Sequence, residues 1–331
     1  MGRVHIQDIA RLAGVSVSTV SRVINKLPSV SQENRIKVEE VIKKLKYKPS
    51  MIAQALAKGK VETIGLIIPR YEGIFYSFYA LELIRGIGNL CDILELDLLL
   101  HVTDGRTFLN LKSVGGVIFA DIIGNRDQLE YTLEEEIPCV VINNLVEDFG
   151  VSCIAVDNIG GAMSATEYLI RLGHRRIAHI TGDLITQTAV QRLEGYRRAL
   201  EENKLEIRDD YIFKTDYSRP KAREAAQKIL ELKDRPTAVF VASDTMALEV
   251  MGVFFEKGLN VPGDISIVGF DDNPMGLYGP VSLTTIRQPL IKMAESGIKR
   301  LNSIMKGKNK KIIKVSLPTE LVIRESTAAP S

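Results

Sequence analysis

Small, polar and cationic side chains recur between residues 17 and 25, at positions that would share one side of a helix. Hydroxyl, amide and guanidinium groups can donate hydrogen bonds to base edges and to phosphates, so such a set suits a helix laid in the major groove of DNA. Reading of nucleic acid is therefore the first chemistry that the sequence indicates. The residues are Val17, Ser18, Ser21, Arg22 and Asn25.

Residues 4–25 must position this set, and their spacing predicts two short helices joined by a tight turn. Gly14 supplies the turn because it adopts positive φ without a steric clash, and Ser16 then caps the second helix. The pattern is a helix-turn-helix, although these residues alone also fit an ordinary pair of packed helices. The apolar residues at helical spacing are Ile6, Ile9, Ala10, Ala13, Val15, Val20, Val23 and Ile24.

Two further segments complete the N-terminal region. Ser31 precedes a run whose apolar residues share one helical face, which predicts a third helix that closes a small core. Ser50 to Ala57 contains good helix formers, but so short a segment does not hold a helix alone in water. We expect this segment to become ordered only when something docks against it, and a solvated linker is the alternative.

The charge of the chain is concentrated at one end. Residues 1–60 hold 12 Lys/Arg against 4 Asp/Glu, a local charge of +8, whereas the whole chain carries +2. The remaining residues therefore carry −6. A basic head on a slightly acidic body indicates a protein that docks on phosphate through one end only.

From Val61 onward, short apolar runs alternate with helical patterns. Near-continuous apolar strands between helices predict an α/β fold with parallel sheets, and the polar loop at 157–161 divides them into two doubly wound units. The predicted strands are 63–69, 96–102, 115–120, 138–143, 153–157, 176–182, 237–243 and 265–271. The predicted helices are 80–90, 160–172, 190–202, 220–232, 245–257 and 290–306.

These patterns divide the chain into three parts. We expect a basic three-helix head at 1–48, a short helix or linker at 49–60, and a two-unit α/β body at 61–331. The final extended segment is expected to cross back between the two units. Lobe 1 would span about 61–157 and 288–317, and lobe 2 about 158–287 and 318–331.

The sequence lacks the motifs of several kinds of metal-binding and catalytic site. The histidines have no metal-ligand spacing, and no phosphate-binding glycine loop or nucleophile elbow occurs, so we expect no metal, no cofactor and no catalysis. The three cysteines, Cys91, Cys139 and Cys153, are odd in number and are expected to be reduced. No apolar run approaches the ~20 residues that span a bilayer, and no signal segment begins the chain. A cytoplasmic protein without a membrane partner is expected.

Several strings, in order along almost the whole chain, resemble the LacI/GalR family of bacterial transcription repressors. IQDIARLAGVSVSTVSRVIN is similar to the family's helix-turn-helix, and YKPSMIAQALAKGK to its hinge helix. IAVDNIGGAMSATEYLIRLGHRRIAHITG, AVFVASDTMALEVM and VPGDISIVGFDD are similar to its body signatures. The resemblance implies a nucleoid-associated homodimer that binds a palindromic double-stranded operator, with a small-molecule effector held between the lobes.

The resemblance implies roles for residues of the head. Val17, Ser18 and Arg22 would reach base edges, and the arginine can donate two hydrogen bonds to a guanine. Ile6 begins the first helix and is also assigned to the DNA backbone. For Ser16, a helix cap alone is the alternative to a cap that also touches phosphate. The residues expected to contact phosphates are Ser16, Thr19, Ser21, Asn25 and Ser31.

In the hinge, Leu56 matches the leucine that the family wedges between base pairs in the minor groove. Ala53 and Ala57 leave room for a partner helix. Some relatives carry a basic residue where Ala57 stands, and Lys58 and Lys60 are candidates to replace its phosphate contact. An exposed leucine in a linker is the alternative for Leu56.

In the body, the resemblance implies effector contacts from both lobes. Arg192 and Asp271 would hold vicinal hydroxyls of a sugar, and Tyr217 would cover an apolar ring face. The alternative for the two charged residues is a structural ion pair between the lobes, and for aromatic residues it is core packing. The matched positions in lobe 2 are Arg192, Tyr217, Ser243 and Asp271, and the candidates in lobe 1 are Phe75 and Tyr79.

Three functions fit these observations. The first is a sugar-responsive repressor of a sugar-utilisation operon. The second is a repressor that responds to a nucleobase or nucleoside, for which two aromatic walls would suit stacking. The third, from another class, is a sugar-binding receptor or sugar-modifying enzyme of two-lobed form; the basic head and the missing catalytic motifs argue against it.

Overall fold

The computed structural model describes residues 6–24, 29–45, 62–71, 74–308 and 311–331. Within these ranges the chain forms a small helical head and an α/β body with two sheets. The predicted hinge at 49–60 lies outside the described residues. Among the described helices, none is long and apolar enough to cross a bilayer.

The head is a three-helix unit with a core of short apolar side chains. Ile9, Val20 and Val38, one from each helix, are fully buried. The apolar spacing that predicted the helices therefore also produces their packing. The helices are α1 (Ile6–Ala13), α2 (Val17–Ile24) and α3 (Gln32–Lys44).

The described part of the body contains twelve strands and seven further α-helices. The strands are β1 (Thr63–Pro69), β2 (Asp97–Thr103), β3 (Gly116–Phe119), β4 (Cys139–Ile142), β5 (Ser152–Val156), β6 (Ile177–Ile180), β7 (Ile212–Phe213), β8 (Ala238–Val241), β9 (Ser266–Asp271), β10 (Thr284–Arg287), β11 (Lys314–Leu317) and β12 (Glu320–Val322). The helices are α4 (Phe78–Leu94), α5 (Arg126–Glu134), α6 (Asn158–Arg171), α7 (Gln187–Glu202), α8 (Arg219–Glu231), α9 (Asp244–Glu256) and α10 (Leu290–Met305).

The strands form two six-stranded sheets. The first has the order β11-β5-β4-β3-β1-β2 with every pair parallel. The second has the order β12-β10-β9-β8-β6-β7 and is parallel except for its β10 and β12 pair. We call the first sheet with α4, α5 and α10 lobe 1, and the second sheet with α6 to α9 lobe 2. Their residue limits given above stay predictions.

Both faces of each sheet are covered, which is why the strands read as continuous apolar runs. In lobe 1, alternate strand residues such as Leu66 and Ile118 pack with α4 and α10, and the intervening Ile67 and Phe119 pack with Leu129 of α5. Lobe 2 repeats the arrangement, with α8 and α9 on one face of its sheet and α6 and α7 on the other.

The chain passes between the lobes three times. It leaves lobe 1 after β5 to start α6, returns after β10 to form α10, and ends with β11 in the first sheet and β12 in the second. The residues at these crossings, 157, 288–289 and 318–319, therefore connect the two lobes.

The predicted α/β fold with a helix-turn-helix head and two parallel-sheet lobes is confirmed. Most predicted strands and helices agree with the structure to within a few residues at each end. Three elements were missed: β7 has only two residues, β10 is the threonine-rich run TTIR, and α5 is a nine-residue helix rich in polar side chains. Short or polar elements carry too little apolar periodicity to be predicted from sequence. The three cysteines are buried and unpaired.

Candidate effector cleft and DNA-reading head

The turn of the head forms as its sequence predicts. Gly14 has φ of 64°, and the N–H of Val15 donates to the carbonyl of Ala10 at 3.0 Å. The Ser16 hydroxyl accepts from the N–H of Thr19 at 3.1 Å and also lies within hydrogen-bond distance of the Ser18 and Thr19 hydroxyls. The predicted cap is confirmed.

The side chains assigned to base edges lie on the outer face of α2. The side chain of Val17 is 42% exposed, and Ser18 and Arg22 are exposed, whereas Val20 and Val23 turn into the core. Exposure on one face is what a DNA contact requires, and the contacts themselves stay predictions.

Some of the remaining predicted head residues have structural contacts, and the others lie outside the described residues. Thr19 and Ser21 are half-buried, and Ile6 packs against the head core. Ser31 caps α3, since its hydroxyl accepts from the N–H of Asn34 at 3.4 Å. Asn25, Ala53, Leu56 and Ala57 lie outside the described residues.

In lobe 2, the predicted effector residues collect at one edge of the sheet. β6, β8 and β9 are parallel neighbours, so Gly182, Ser243 and Asp271, at or just beyond their ends, lie along the same carboxyl edge. Ligands of open α/β sheets bind at this edge.

Arg192 reaches this edge from α7. Its Nη1 donates to the carbonyl of Ala242 at 2.5 Å, and its Nε donates to Oδ1 of Asn158 at 2.9 Å. The guanidinium lies over the ring of Phe270, 3.8 Å from the centroid. These three contacts fix the plane of the guanidinium. The Arg192 side chain is almost fully buried.

Asp271 lies in a strained stretch of backbone. Its φ is 133° and that of Asp272 is 59°, and non-glycine residues with positive φ cluster at ligand sites. Burial raises the pKa of Asp271, and the charge of Arg192 opposes that shift. The alternative ion pair is not seen as a direct contact: among the described residues, no salt bridge joins Arg192 to Asp271.

The carboxyl group of Asp244 is fully buried near Asp271. Asp244 accepts from the hydroxyl of Thr285 at 2.6 Å and from the N–H of Asn273 at 2.7 Å. Burial and the neighbouring charge of Asp271 raise the pKa of Asp244. Asp272, in contrast, forms ion pairs with Arg287 at 2.7 Å and with Arg324, so it holds the loop in place.

Tyr217 and Ser243 complete the lobe 2 set. Tyr217 has φ of 66°, and a Cβ added to Gly182 would lie 2.0 Å from its ring, so the glycine is what lets the ring lie over this edge. Ser243 caps α9, since its hydroxyl accepts from the N–H of Met246 at 3.4 Å. The structure therefore gathers all four predicted lobe 2 residues at one edge, and their ligand contacts stay predictions.

In lobe 1, the corresponding edge carries residues that the sequence analysis missed. Asp121 follows β3 and is buried; its Oδ1 accepts from the N–H of Ile123 at 3.0 Å and its Oδ2 from Nδ2 of Asn143 at 3.1 Å. Burial raises the pKa of Asp121 to about 6. Asp121 and Asn143 come directly after apolar runs, so the rule that ligands bind at carboxyl edges could have found both.

Tyr71 lies just after β1, at the carboxyl edge of lobe 1, and is 46% exposed. Its partial burial and the charges of Asp121 and Asp271 raise the pKa of its hydroxyl, and a hydrogen bond with Ser77 lowers it.

The two aromatic candidates of lobe 1 lie in different surroundings. Phe75, in a 3-10 turn, is 62% exposed. Tyr79 packs against the core beside α4, and its hydroxyl donates to the carbonyl of Ala120, next to Asp121. Core packing thus accounts for much of the Tyr79 side chain, and effector contacts by both residues stay predictions.

A pair of hydrogen bonds joins the lobes directly. The Gln187 amide, at the start of α7, donates to the Leu145 carbonyl at 2.9 Å and accepts from the Leu145 N–H at 2.8 Å. Sequence reasoning gave no signal for this contact because the two residues are 42 positions apart.

In the part of the chain that the structure describes, no group of three or more His, Cys, Asp or Glu side chains could hold a metal ion. The candidate site is a cleft edged by carboxylates, amides, a guanidinium and tyrosine hydroxyls. Such groups bind a polar organic molecule by hydrogen bonds.

Comparison with known proteins agrees with this geometry. Residues 5–50 match the model for bacterial regulatory proteins of the lacI family, and residues 166–327 match a periplasmic binding protein-like domain. Catabolite control protein A of Priestia megaterium is 34% identical over 98% of this chain and 99% of its own.

Two solved structures share the whole arrangement. A complex of the transcriptional regulator CelR with cellobiose has a TM-score of 0.75, with 29% identity over 98% of this chain and 100% of that chain. The lac repressor dimer bound to operator and the anti-inducer ONPF has a TM-score of 0.72, with 27% identity over 99% of this chain and 100% of that chain.

These matches decide between the functional classes considered from the sequence. Regulators of this kind bind operator DNA and small-molecule effectors, typically as dimers, and the sugar receptor or enzyme is thereby set aside. The chain belongs to the lacI family of bacterial regulatory proteins, and it is a sequence-specific DNA-binding transcriptional regulator rather than an enzyme.

Proposed function

We propose that this regulator is a repressor of a sugar-utilisation operon and that a sugar held between its lobes controls its affinity for an operator. The observation that carries the proposal is the arrangement of Arg192, Asp271 and Tyr217 along one carboxyl edge. A guanidinium and a carboxylate can bind neighbouring hydroxyls, and a tyrosine ring can cover the apolar face of a sugar. The structural relative CelR, in complex with cellobiose, is consistent with this ligand class.

The effector acts by changing the balance between two lobe arrangements. It can shift operator affinity only by its differential affinity for the two states, typically about 1 to 3 kcal/mol of coupling. Gln187 and Leu145 form one contact that must rearrange if the lobes rotate. A lobe movement would bring two hinge segments together or separate them, and so decide whether they fold on the DNA.

A repressor that responds to a nucleobase or nucleoside is the second candidate. It requires aromatic rings that stack on both faces of the base. Tyr217 offers one such ring, and the exposed Phe75 is the candidate for the other, since much of the Tyr79 ring is packed in the core. The guanidinium of Arg192 and the carboxylate of Asp271 favour the hydroxyls of a sugar over this candidate.

We further propose that the regulator acts in the bacterial cytoplasm as a homodimer on an inverted-repeat operator. One apolar face suits self-association: Met275 and Tyr278 are 61% and 79% exposed, beside a groove of about 280 Å3. The groove is lined by Leu248, Met251, Gly252, Phe255, Met275, Tyr278, Gly279 and Pro280.

Selection of duplex DNA from a random pool with the full chain tests the operator proposal. We expect enrichment of an inverted repeat, and binding to it should weaken steeply with salt because phosphate contacts release counterions. The enrichment of the inverted repeat should also change when the sugar that binds the protein is added. Failure to enrich any inverted repeat, with and without each sugar, would contradict the proposal.

A thermal-shift screen against sugars and nucleobases tests the ligand. We expect a saccharide, and no nucleobase, to raise the melting temperature, because a ligand that binds only the folded state stabilises it. A purine or pyrimidine that raises it more than every sugar would favour the second candidate.

A further inference from the structure

Two hydrogen bonds hold the first residue of α7, in lobe 2, to a loop of lobe 1. The side-chain amide of Gln187 donates to the Leu145 carbonyl at 2.9 Å and accepts from the Leu145 N–H at 2.8 Å. Because a donor and an acceptor are matched on each side, the amide cannot be turned round without losing both bonds. The contact therefore fixes both the distance and the orientation of the two groups.

The same face of α7 meets the first crossing between the lobes one turn later. Gln191 lies four residues after Gln187, which places both side chains on one side of the helix. Its Oε1 accepts from Nδ2 of Asn158 at 3.3 Å, and this Nδ2 also donates to the carbonyl of Val156, the last residue of β5, at 3.2 Å. α7 is thus bound to a lobe 1 loop at its start and to the crossing at its next turn.

Both partners of the Gln187 contact are connected to the edges of the cleft. In lobe 1, Asn143 lies two residues before Leu145 and donates to Oδ2 of Asp121 at 3.1 Å. In lobe 2, α7 carries Arg192, whose guanidinium is held over Phe270. The contact between the lobes therefore holds the two cleft edges at one separation.

We propose that Gln187 is a positioning residue for the effector response: its two hydrogen bonds to Leu145 stabilise the lobe arrangement that binds the effector. A ligand that contacts both edges binds only while they are held together, so the ligand and the contact favour the same arrangement. Loss of the contact shifts the unliganded protein away from that arrangement, and by linkage it changes both affinities. This inference rests on the proposed function and assigns one residue pair that sets its balance.

Hydrogen exchange tests the contact in the full chain without ligand or DNA. Gln187→Met keeps the length of the side chain but lacks the amide, so the Leu145 N–H should exchange at least about tenfold faster in this variant than in wild type. Mass spectrometry of overlapping peptides around residue 145 measures the rate. Gln227→Met, at an exposed position of α8, is the matched control and should leave the rate unchanged. Equal exchange in wild type and Gln187→Met would overturn the inference.

Sugar and operator affinities test the role of the contact. In Gln187→Met we expect the sugar to bind about threefold or more weakly, since two neutral hydrogen bonds are lost from the binding arrangement. Operator affinity of the unliganded variant should shift in the direction opposite to the shift that the sugar causes in wild type. Gln227→Met should change neither affinity. Calorimetry and fluorescence anisotropy measure the two affinities.

The unliganded operator affinity separates positioning from other roles. A residue that only touched the sugar would change the sugar affinity alone, and a residue with only a structural role would lower the melting temperature without this opposite shift. An operator affinity equal to that of wild type, in a folded and unliganded Gln187→Met variant, would overturn the inference.

The failures of the two proposals are distinguishable. If no sugar binds but Gln187→Met exchanges faster at Leu145 and differs from wild type in operator affinity, the sugar function fails and the positioning role stands. If a sugar binds and the operator affinities of wild type and variant are equal, the sugar function stands and the positioning role alone is wrong.

Discussion

The guanidinium of Arg192 lies 3.8 Å from the centroid of the Phe270 ring, while two of its nitrogens donate to Asn158 and Ala242. Asn158 begins the helix that follows the last lobe 1 strand before the crossing, and Ala242 directly follows β8 of lobe 2. One side chain thus holds the start of lobe 2 against its own sheet and presents a fixed cation to the cleft.

Arg192→Lys should weaken both the fold and the effector site. Lysine keeps the charge but cannot donate to Asn158 and Ala242 in one plane or stack on Phe270, so we expect a loss of about 1.5 to 3 kcal/mol in the free energy of unfolding. Effector affinity should fall at least about tenfold. Urea unfolding and calorimetry measure the two effects.

A control on the same helix isolates the role of Arg192. Arg198 is exposed and pairs with Glu194 at 2.6 Å. Arg198→Lys should change the free energy of unfolding by less than about 0.5 kcal/mol, because exposed ion pairs contribute little. Equal effects of the two substitutions would show that the buried contacts of Arg192 do not matter.

Gly182→Ala should displace the ring of Tyr217. The added Cβ would lie 2.0 Å from the ring, so either the ring or the backbone must move, at a cost of about 1 to 3 kcal/mol in stability. Effector affinity should fall with it. Gly88→Ala is the control, since no heavy atom beyond its chain neighbours and its own helix backbone lies within 4 Å of the added Cβ. Gly88→Ala should leave the free energy of unfolding unchanged or raise it by up to about 1 kcal/mol. A Gly182→Ala variant with the stability and effector affinity of wild type would contradict the packing of Tyr217 on Gly182.

Stability should decrease as pH rises because of Asp244. Burial and the charge of Asp271 raise the pKa of Asp244, so the folded protein keeps a proton that the unfolded chain releases above about pH 4. Between that pH and the folded-state pKa the native state binds more protons, and the free energy of unfolding falls with increasing pH.

Asp244→Asn removes this titration and should flatten the pH dependence. Urea unfolding between about pH 5 and pH 8 compares the variant with wild type, and the remaining slope would come partly from Asp121, whose pKa is also raised. The exposed Asp127→Asn is the control. A slope in Asp244→Asn as steep as in wild type would argue against a proton held by Asp244.

Leu56→Ala should weaken operator binding and leave effector binding intact. If Leu56 wedges between base pairs, its truncation removes contacts that offset the unstacking of DNA, and we expect a loss of roughly tenfold or more in affinity for the selected operator. Fluorescence anisotropy measures this loss. Leu12→Ala, which truncates an exposed leucine of the head, is the control. Unchanged operator affinity in Leu56→Ala would remove the wedge from the hinge.

The sequence by itself determined the features that depend on local pattern. Apolar spacing on both sides of Gly14 was enough to predict the head, because helices that bury one face repeat apolar residues every three or four positions. Continuous apolar runs predicted the strands of both lobes because sheets covered on both faces need them. The lobe 2 residues Arg192, Tyr217, Ser243 and Asp271 were chosen by their match to the family's motifs, and the structure gathers them at one edge.

Only the tertiary structure decided which groups face one another. Strand order and loops far apart in the chain determine that the charges of Asp121 and Asp271 both raise the pKa of Tyr71. They also determine that Gln187 forms hydrogen bonds with Leu145. The exposed Phe75 and the packed Tyr79 show the same limit, since neighbouring aromatic residues with similar sequence patterns take different surroundings. The physical reason is that burial and charge at a cleft arise from contacts across long sequence separations, which local periodicity does not encode.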